Sequence, residues 1–106
     1  MTSFMTKLVL FGLLSTLAFA GDIHDRCNST DFDSKNFAIA YAGGVMDVMR
    51  DDTLHGKALY KFPPDISYEM AFYDICGVID QHPELWNKPS RDAITFAVVT
   101  LWKKKN

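Results

Sequence analysis

The sequence lacks several features that would place it in a familiar functional class. It has no excess of basic residues, with eleven Lys and Arg against thirteen Asp and Glu, whereas binding of nucleic acid requires a basic face. No apolar run reaches the ~20 residues that a membrane-spanning helix needs. No stretch alternates with period two over more than a few residues, which argues against a β-fold. Nucleic acid and membrane partners are therefore not expected.

Side chains that could form a metal or catalytic site are few and scattered. The histidines are His24, His55 and His82. No two of them have the i, i+4 spacing of a helical metal site. His24, between Asp22 and Asp25, could at most contact a metal ion weakly. The Asp51-Asp52 pair would need a cleft that raises one pKa before it could act as a general acid. We therefore expect no metal, no cofactor and no enzymatic activity.

The first twenty residues have the order of a secretory signal. A single charged residue, Lys7, precedes an apolar run of about a dozen residues that ends in Ala18-Phe19-Ala20. We expect cleavage of residues 1–20 and export to the periplasm. The mature chain would be one domain over residues 21–106, with ten basic and thirteen acidic residues and a net charge of −3.

Cysteine is scarce, with Cys27 and Cys76 as the whole set. An even count in a small exported protein predicts a disulfide, although the sequence leaves open whether the bridge lies within one chain. The alternative is a reactive Cys76 thiol with His82 as its base. No carboxylate has a spacing that would single it out as the third group of such a site.

Apolar periodicity predicts an all-α fold, a small disulfide-stapled bundle of three main helices plus a possible short helix. The first helix is expected from about Ser34 to Arg50, after an irregular arm that begins at Asp22. Its predicted buried face consists of Phe37, Tyr41, Val45 and Val48. The Gly43-Gly44 pair costs ~1 kcal/mol per glycine relative to alanine. We therefore expect another helix, the C-terminal one, to cross closely there.

Two further helices are predicted after the prolines at 63 and 64. The second is expected to begin at Asp65 or Ser67 and to end at His82-Pro83, because proline cannot continue a helix. Its predicted apolar stripe comprises Met70, Phe72, Tyr73, Ile75, Cys76 and Ile79. The third is expected to open near Pro89. Its predicted stripe comprises Ile94, Ala97, Val98 and Leu101, widened by Phe96, Val99 and Trp102.

The segments between and after these helices have weaker patterns. Residues 51–64 are predicted as a connection that could hold a short helical turn over Thr53 to Tyr60. Lys103, Lys104 and Lys105 are expected to form a solvated tail that complements the dipole of the last helix.

The run from Phe37 to Asp47, FAIAYAGGVMD, resembles the first-helix signature of the Rap/Tai immunity proteins, an aromatic and small residues before Gly-Val-x-Asp. Pro64-Asp65-Ile66-Ser67, His82-Pro83-Glu84 and a final Ala- and Val-rich helix follow in the family's order. The resemblance implies a periplasmic, helical, disulfide-bonded protein. It also implies inhibition of a peptidoglycan-degrading amidase toxin delivered by type VI secretion, and association as a homodimer.

The toxin-binding surface is expected in the connection between the first two helices. Its candidate residues are Asp51, Asp52, His55, Lys57 and Tyr60, and the competing interpretation is that this segment merely connects two helices. The alternative function is a periplasmic acid-stress chaperone similar to HdeA, which also has few helices, one long-range disulfide and a lysine-rich end. Such a chaperone would lose structure as its carboxylates become protonated.

Overall fold

The computed structural model describes residues 22–105. Its elements, in chain order, are α1 (Asp22–Cys27), α2 (Phe32–Arg50), β1 (Thr53–Leu54), β2 (Lys57–Ala58), α3 (Tyr68–Asp80), a 3₁₀ turn (Pro83–Leu85) and α4 (Ser90–Trp102). The predicted all-α bundle is confirmed, with α2, α3 and α4 as its three main helices. The predicted signal segment, residues 1–20, lies outside the described residues.

One apolar core lies where α2, α3 and α4 pack against one another. Phe72 and Ile75 of α3, with Ile94 of α4, have none of their surface exposed. Ile23 of α1 is 1% exposed and belongs to the same core. Burying a side chain of this size stabilises a fold by roughly 1.5–3 kcal/mol, so the short first helix contributes to stability.

Most of the segment before Ser34 is helical where an irregular arm was predicted, and that prediction is wrong. α1 covers Asp22–Cys27, and α2 begins at Phe32. The physical reason is an N-cap, because the Asp31 carboxylate accepts a hydrogen bond from the Ser34 backbone N–H at 2.8 Å. This bond satisfies one of the otherwise unpaired donors of the first turn, so α2 starts earlier than the apolar spacing indicates.

The buried face of α2 also differs from the predicted one. Phe37 is 46% exposed and Val48 is 71% exposed, while Tyr41 and Val45 are only partly buried. The buried residues are instead Ala38, Ala42, Gly43, Met46 and Met49. The distance between packed helices depends on the side chains at the contact, and these small or flexible residues allow a close approach. The larger side chains are left at the edges of the contact.

Gly43 provides the close contact that the glycine pair predicted, but the neighbour is an aromatic ring and not the C-terminal helix. A Cβ at Gly43 would lie 2.6 Å from Cδ2 of Tyr68, the first residue of α3. The Tyr68 hydroxyl donates a hydrogen bond to the Asp47 carboxylate, and this bond raises the pKa of Tyr68 above its ordinary value. A Cβ at Gly44 would have nothing within 4 Å.

Alanine substitutions separate the roles of the two glycines. Gly44→Ala is expected to raise the free energy of unfolding by roughly 0.5–1 kcal/mol, because alanine is the better helix former and the space is open. Gly43→Ala should gain no such stability, because its methyl group displaces the Tyr68 ring. Urea unfolding of both variants measures the difference, and an equal gain at the two positions would contradict the contact at Gly43.

α3 follows its predicted stripe in most positions. The Ser67 hydroxyl accepts a hydrogen bond from the Met70 backbone N–H at 3.1 Å and so caps the helix, which ends at Asp80, just before His82-Pro83. The buried residues are Ala71, Phe72, Ile75, Cys76 and Ile79. Met70 is 59% exposed and Tyr73 is 49% exposed, so these two members of the predicted stripe lie at its solvent edge.

α4 begins at Ser90, directly after Pro89, as its sequence indicates. Ala93, Ile94, Ala97 and Val98 are buried along it. Leu101, predicted to be buried, is 36% exposed. The inward position of the last turn is taken by Trp102, which is 8% exposed and whose ring centroid lies 5.3 Å from that of Phe62.

The predicted disulfide joins Cys27 at the end of α1 to Cys76 in the middle of α3, within one chain. The two Cα atoms lie 5.6 Å apart across 49 residues of sequence. Beside the bridge, the His24 ring stacks on Trp86 with centroids 3.9 Å apart. The bridge leaves no free cysteine in residues 22–105, so the structure offers no thiol for the Cys76 nucleophile that was the alternative.

Removing the bridge should weaken the fold strongly. The double variant Cys27→Ala, Cys76→Ala is expected to lose about 4 kcal/mol of unfolding free energy, because the unfolded chain is no longer closed into a long loop. Urea unfolding under oxidising conditions measures the loss. A reductant should reproduce it in the wild-type protein and leave the double variant unaffected, whereas a double variant as stable as the wild type would contradict this role.

Candidate partner-binding surface

The connection between α2 and α3 contains a β-hairpin, and the short helical turn predicted there is wrong. β1 and β2 pair antiparallel over two residues each. A further backbone bond, from the Leu59 N–H to the Asp52 carbonyl oxygen at 3.0 Å, extends the pairing toward the bundle. Residues 51–58 are all exposed, so the hairpin projects from the helical core.

The hairpin turn consists of His55 and Gly56, whose φ angles are 54° and 78°. Two consecutive residues with positive φ are typical of the type I′ turn, whose twist matches that of the paired strands. Glycine adopts this conformation without strain, and histidine is one of the few other residues enriched in it. The signal was therefore present in the sequence, but strands of two residues are too short to show an alternating pattern.

The base of the hairpin is joined to the C-terminal end of the chain. The Lys61 N–H donates to the Trp102 carbonyl oxygen at 2.8 Å, and the Lys104 N–H donates to the Leu59 carbonyl oxygen at 2.9 Å. These bonds form an antiparallel bridge centred on Tyr60. The C-terminal lysines are exposed, as expected of a solvated tail, but their backbone is held against the hairpin.

Aromatic side chains fill the corner below this bridge. The Phe62 ring centroid lies 5.3 Å from that of Trp102 and 6.3 Å from that of Tyr60. The Arg50 guanidinium lies 5.2 Å from the Phe62 ring centroid, within the range of a cation–π interaction. These contacts join the ends of α2 and α4 to the segment after the hairpin, and so they fix its direction relative to the bundle.

The side chains predicted to bind a partner are brought together along this hairpin. They are Asp51, Asp52, His55, Lys57 and Tyr60. Tyr60 is partly buried and packs against the core, whereas the other four are exposed. Leu54 precedes the turn and is 56% exposed. Leu54 was not among the predicted partner-binding residues, because the segment was expected to be a helical turn or a connector.

Basic side chains around the hairpin were also missed. They are Arg50, Lys61, Lys103, Lys104 and Lys105, from the end of α2, the segment after the hairpin and the C-terminus. The C-terminal lysines were expected to form a separate, solvated tail. Their approach to the hairpin depends on long-range backbone pairing, which no local sequence pattern signals.

The other histidines make structural contacts away from the hairpin. His24 Nε2 lies 3.4 Å from an Asp80 carboxylate oxygen. His82 Nδ1 lies 2.7 Å from the Val78 carbonyl oxygen, and its ring meets that of Phe96 edge-on. Within residues 22–105, no three His, Cys, Asp or Glu side chains are grouped so as to hold a metal ion.

The chain matches no known family model, no curated protein and no solved structure. Among the helices of residues 22–105, none combines the length and apolar character needed to span a bilayer.

Gly56→Ala tests whether the turn fixes the hairpin. A side chain at a positive φ costs roughly 1–2 kcal/mol, so the variant should loosen the hairpin and leave the helices intact. Amide hydrogen exchange at Leu59, which donates to Asp52, should become faster, while exchange at Ile75 in α3 should stay unchanged. Gly44→Ala is the matched control, and unaltered exchange at Leu59 in Gly56→Ala would contradict the role of the turn.

Proposed function

We propose that this protein is exported to the periplasm and inhibits a peptidoglycan-degrading amidase toxin delivered by a type VI secretion system. The hairpin and its base, residues 51–61 with 103–105, form the inhibitory surface. The observation that carries the proposal is a hairpin exposed throughout residues 51–58 whose base is held by backbone bonds to the C-terminal end.

A fixed, projecting loop suits the inhibition of a hydrolase. Enzyme active sites are concave, and a loop already held in its bound shape loses little conformational freedom on entering one. Pre-organised enzyme–inhibitor complexes accordingly show little backbone movement on binding. Leu54 near the turn would supply an apolar contact at the centre of the interface, and Asp52, His55 and Lys57 would supply its polar rim.

The disulfide supports the proposed location. Structural disulfides form and persist in oxidising compartments such as the bacterial periplasm and are rare in the cytosol. The resemblance of residues 37–47 to the first helix of the Rap/Tai immunity proteins supports the same function. Because the resemblance also implies a homodimer, we include association as a homodimer in the proposal.

The direct test uses the exported, oxidised protein as bait against periplasmic and secreted extracts at neutral pH. We expect one peptidoglycan hydrolase to be captured specifically, as identified by mass spectrometry. The purified hydrolase should then lose its activity on peptidoglycan when one equivalent of the protein is added. Absence of any captured hydrolase, or capture without inhibition, would contradict the proposal.

A pair of matched variants tests the role of the hairpin. Leu54→Asp should weaken binding of the captured hydrolase at least ~tenfold, because truncating or charging a central interface residue costs upward of about 1–2 kcal/mol. Phe32→Asp makes the same kind of change at a residue that is 76% exposed at the opposite end of α2 and should leave binding unchanged. Equal effects of the two variants would place the interface elsewhere.

An acid-stress chaperone is the second candidate, and one observation favours it. Three carboxylates accept hydrogen bonds from other residues. The donors are Ser34 to Asp31, Tyr68 to Asp47 and Asn28 to Asp80. The Asp47 and Asp80 bonds join different parts of the bundle, whereas the Asp31 bond caps α2. An acid-stress chaperone would have to lose contacts between its helices in acid in order to expose apolar surface. The chaperone should suppress aggregation of an unrelated protein at about pH 2 to 3 and not at pH 7, and inactivity in acid would remove this candidate.

A further inference from the structure

Three shallow grooves meet around the C-terminal end, and each is lined by basic residues with no acidic residue among its described lining. Lys104 lines all three, so the grooves form one continuous surface. Its basic members are Arg50, Lys57, Lys61, Lys103, Lys104 and Lys105. We call this surface the basic groove.

The concentration of charge contrasts with the rest of the domain. Residues 21–106 carry ten basic and thirteen acidic side chains, and six of those ten basic residues line the basic groove. A local positive surface on an acidic domain attracts anionic partners and steers their approach. The asymmetry therefore points to an anionic ligand at this end.

The basic side chains start from fixed backbone positions. The backbone N–H of Lys104 is bonded to Leu59, and that of Lys61 is bonded to Trp102. Arg50 is placed over the Phe62 ring. Less conformational freedom is lost when a ligand binds to groups that are already positioned, so these cations form a better site than lysines on a loose tail.

The lining also contains apolar side chains. Leu54, Ala58 and Leu59 lie between the lysines in a groove of about 560 Å³, and Phe62 and Ile66 lie beside Arg50 in the next. A phosphate polymer would use the cations and leave this carbon surface unmatched. A polypeptide in which acidic and apolar side chains alternate would match both.

We propose that the basic groove binds an acidic polypeptide segment that also carries apolar side chains. The inference rests on the proposed function in one respect, namely that the partner hydrolase would supply this segment. Acidic side chains of the segment pair with the lysines of the C-terminal end and of β2, and its apolar side chains cover Leu54 and Leu59.

The test uses a fluorescein-labelled synthetic decapeptide of alternating Glu and Leu, with a Gln-for-Glu peptide as its control. Fluorescence anisotropy with the exported, oxidised protein should show saturable binding of the acidic peptide that weakens as salt is raised. The triple variant Lys103→Gln, Lys104→Gln, Lys105→Gln should bind roughly tenfold more weakly. The matched control, Lys35→Gln, Lys88→Gln, Arg91→Gln, removes the same charge elsewhere and should bind as the wild type does.

Several outcomes would overturn the inference. One is the absence of saturable binding of the acidic peptide at low salt. The others are an equal loss of peptide affinity in the two triple variants, and equal affinity for the Gln peptide and the Glu peptide. Tighter binding to polyphosphate, or to vesicles containing phosphatidylglycerol, than to the acidic peptide would show that the ligand of the basic groove is not a polypeptide. The peptide experiment uses no hydrolase, so its failure would not contradict the proposed function. Likewise, failure to capture a hydrolase would not contradict binding of the acidic peptide.

Discussion

The disulfide between Cys27 and Cys76 is the constraint on which the arrangement of this small domain depends. A domain of this size buries a thin core and often needs a covalent link. The bridge holds α1 on α3, which places Ile23 in the core. α3 in turn begins with Tyr68, whose ring lies over Gly43, and this contact sets how closely α2 and α3 pack.

The same packing determines where the hairpin points. α2 ends at Arg50, whose guanidinium contacts Phe62, and Phe62 contacts Trp102 at the end of α4. The hairpin leaves the bundle at this junction, and its base is bonded to the backbone of Trp102 and Lys104. An exposed segment thus acquires a defined direction from the ends of two helices, which is the physical basis for proposing it as an inhibitory element.

The sequence predicted the features that local chemistry determines. Apolar spacing and proline positions located α3 and α4, and the cysteine count predicted the bridge. The face of α2 was mispredicted because its packing selects small side chains, such as Ala38 and Ala42, over large ones. The hairpin was missed because its strands are two residues long, and the basic groove was missed because the lysines reach it through pairing between distant parts of the chain.

Amide hydrogen exchange, measured on the protein alone and in complex with its captured hydrolase, tests most directly whether the hairpin blocks the enzyme. We expect slowed exchange in the complex to be confined to residues 52–61 and 103–105, with the exposed faces of α2 and α3 unchanged. Slowed exchange on those helical faces, with the hairpin unchanged, would contradict the proposal that the hairpin is the element that blocks the enzyme.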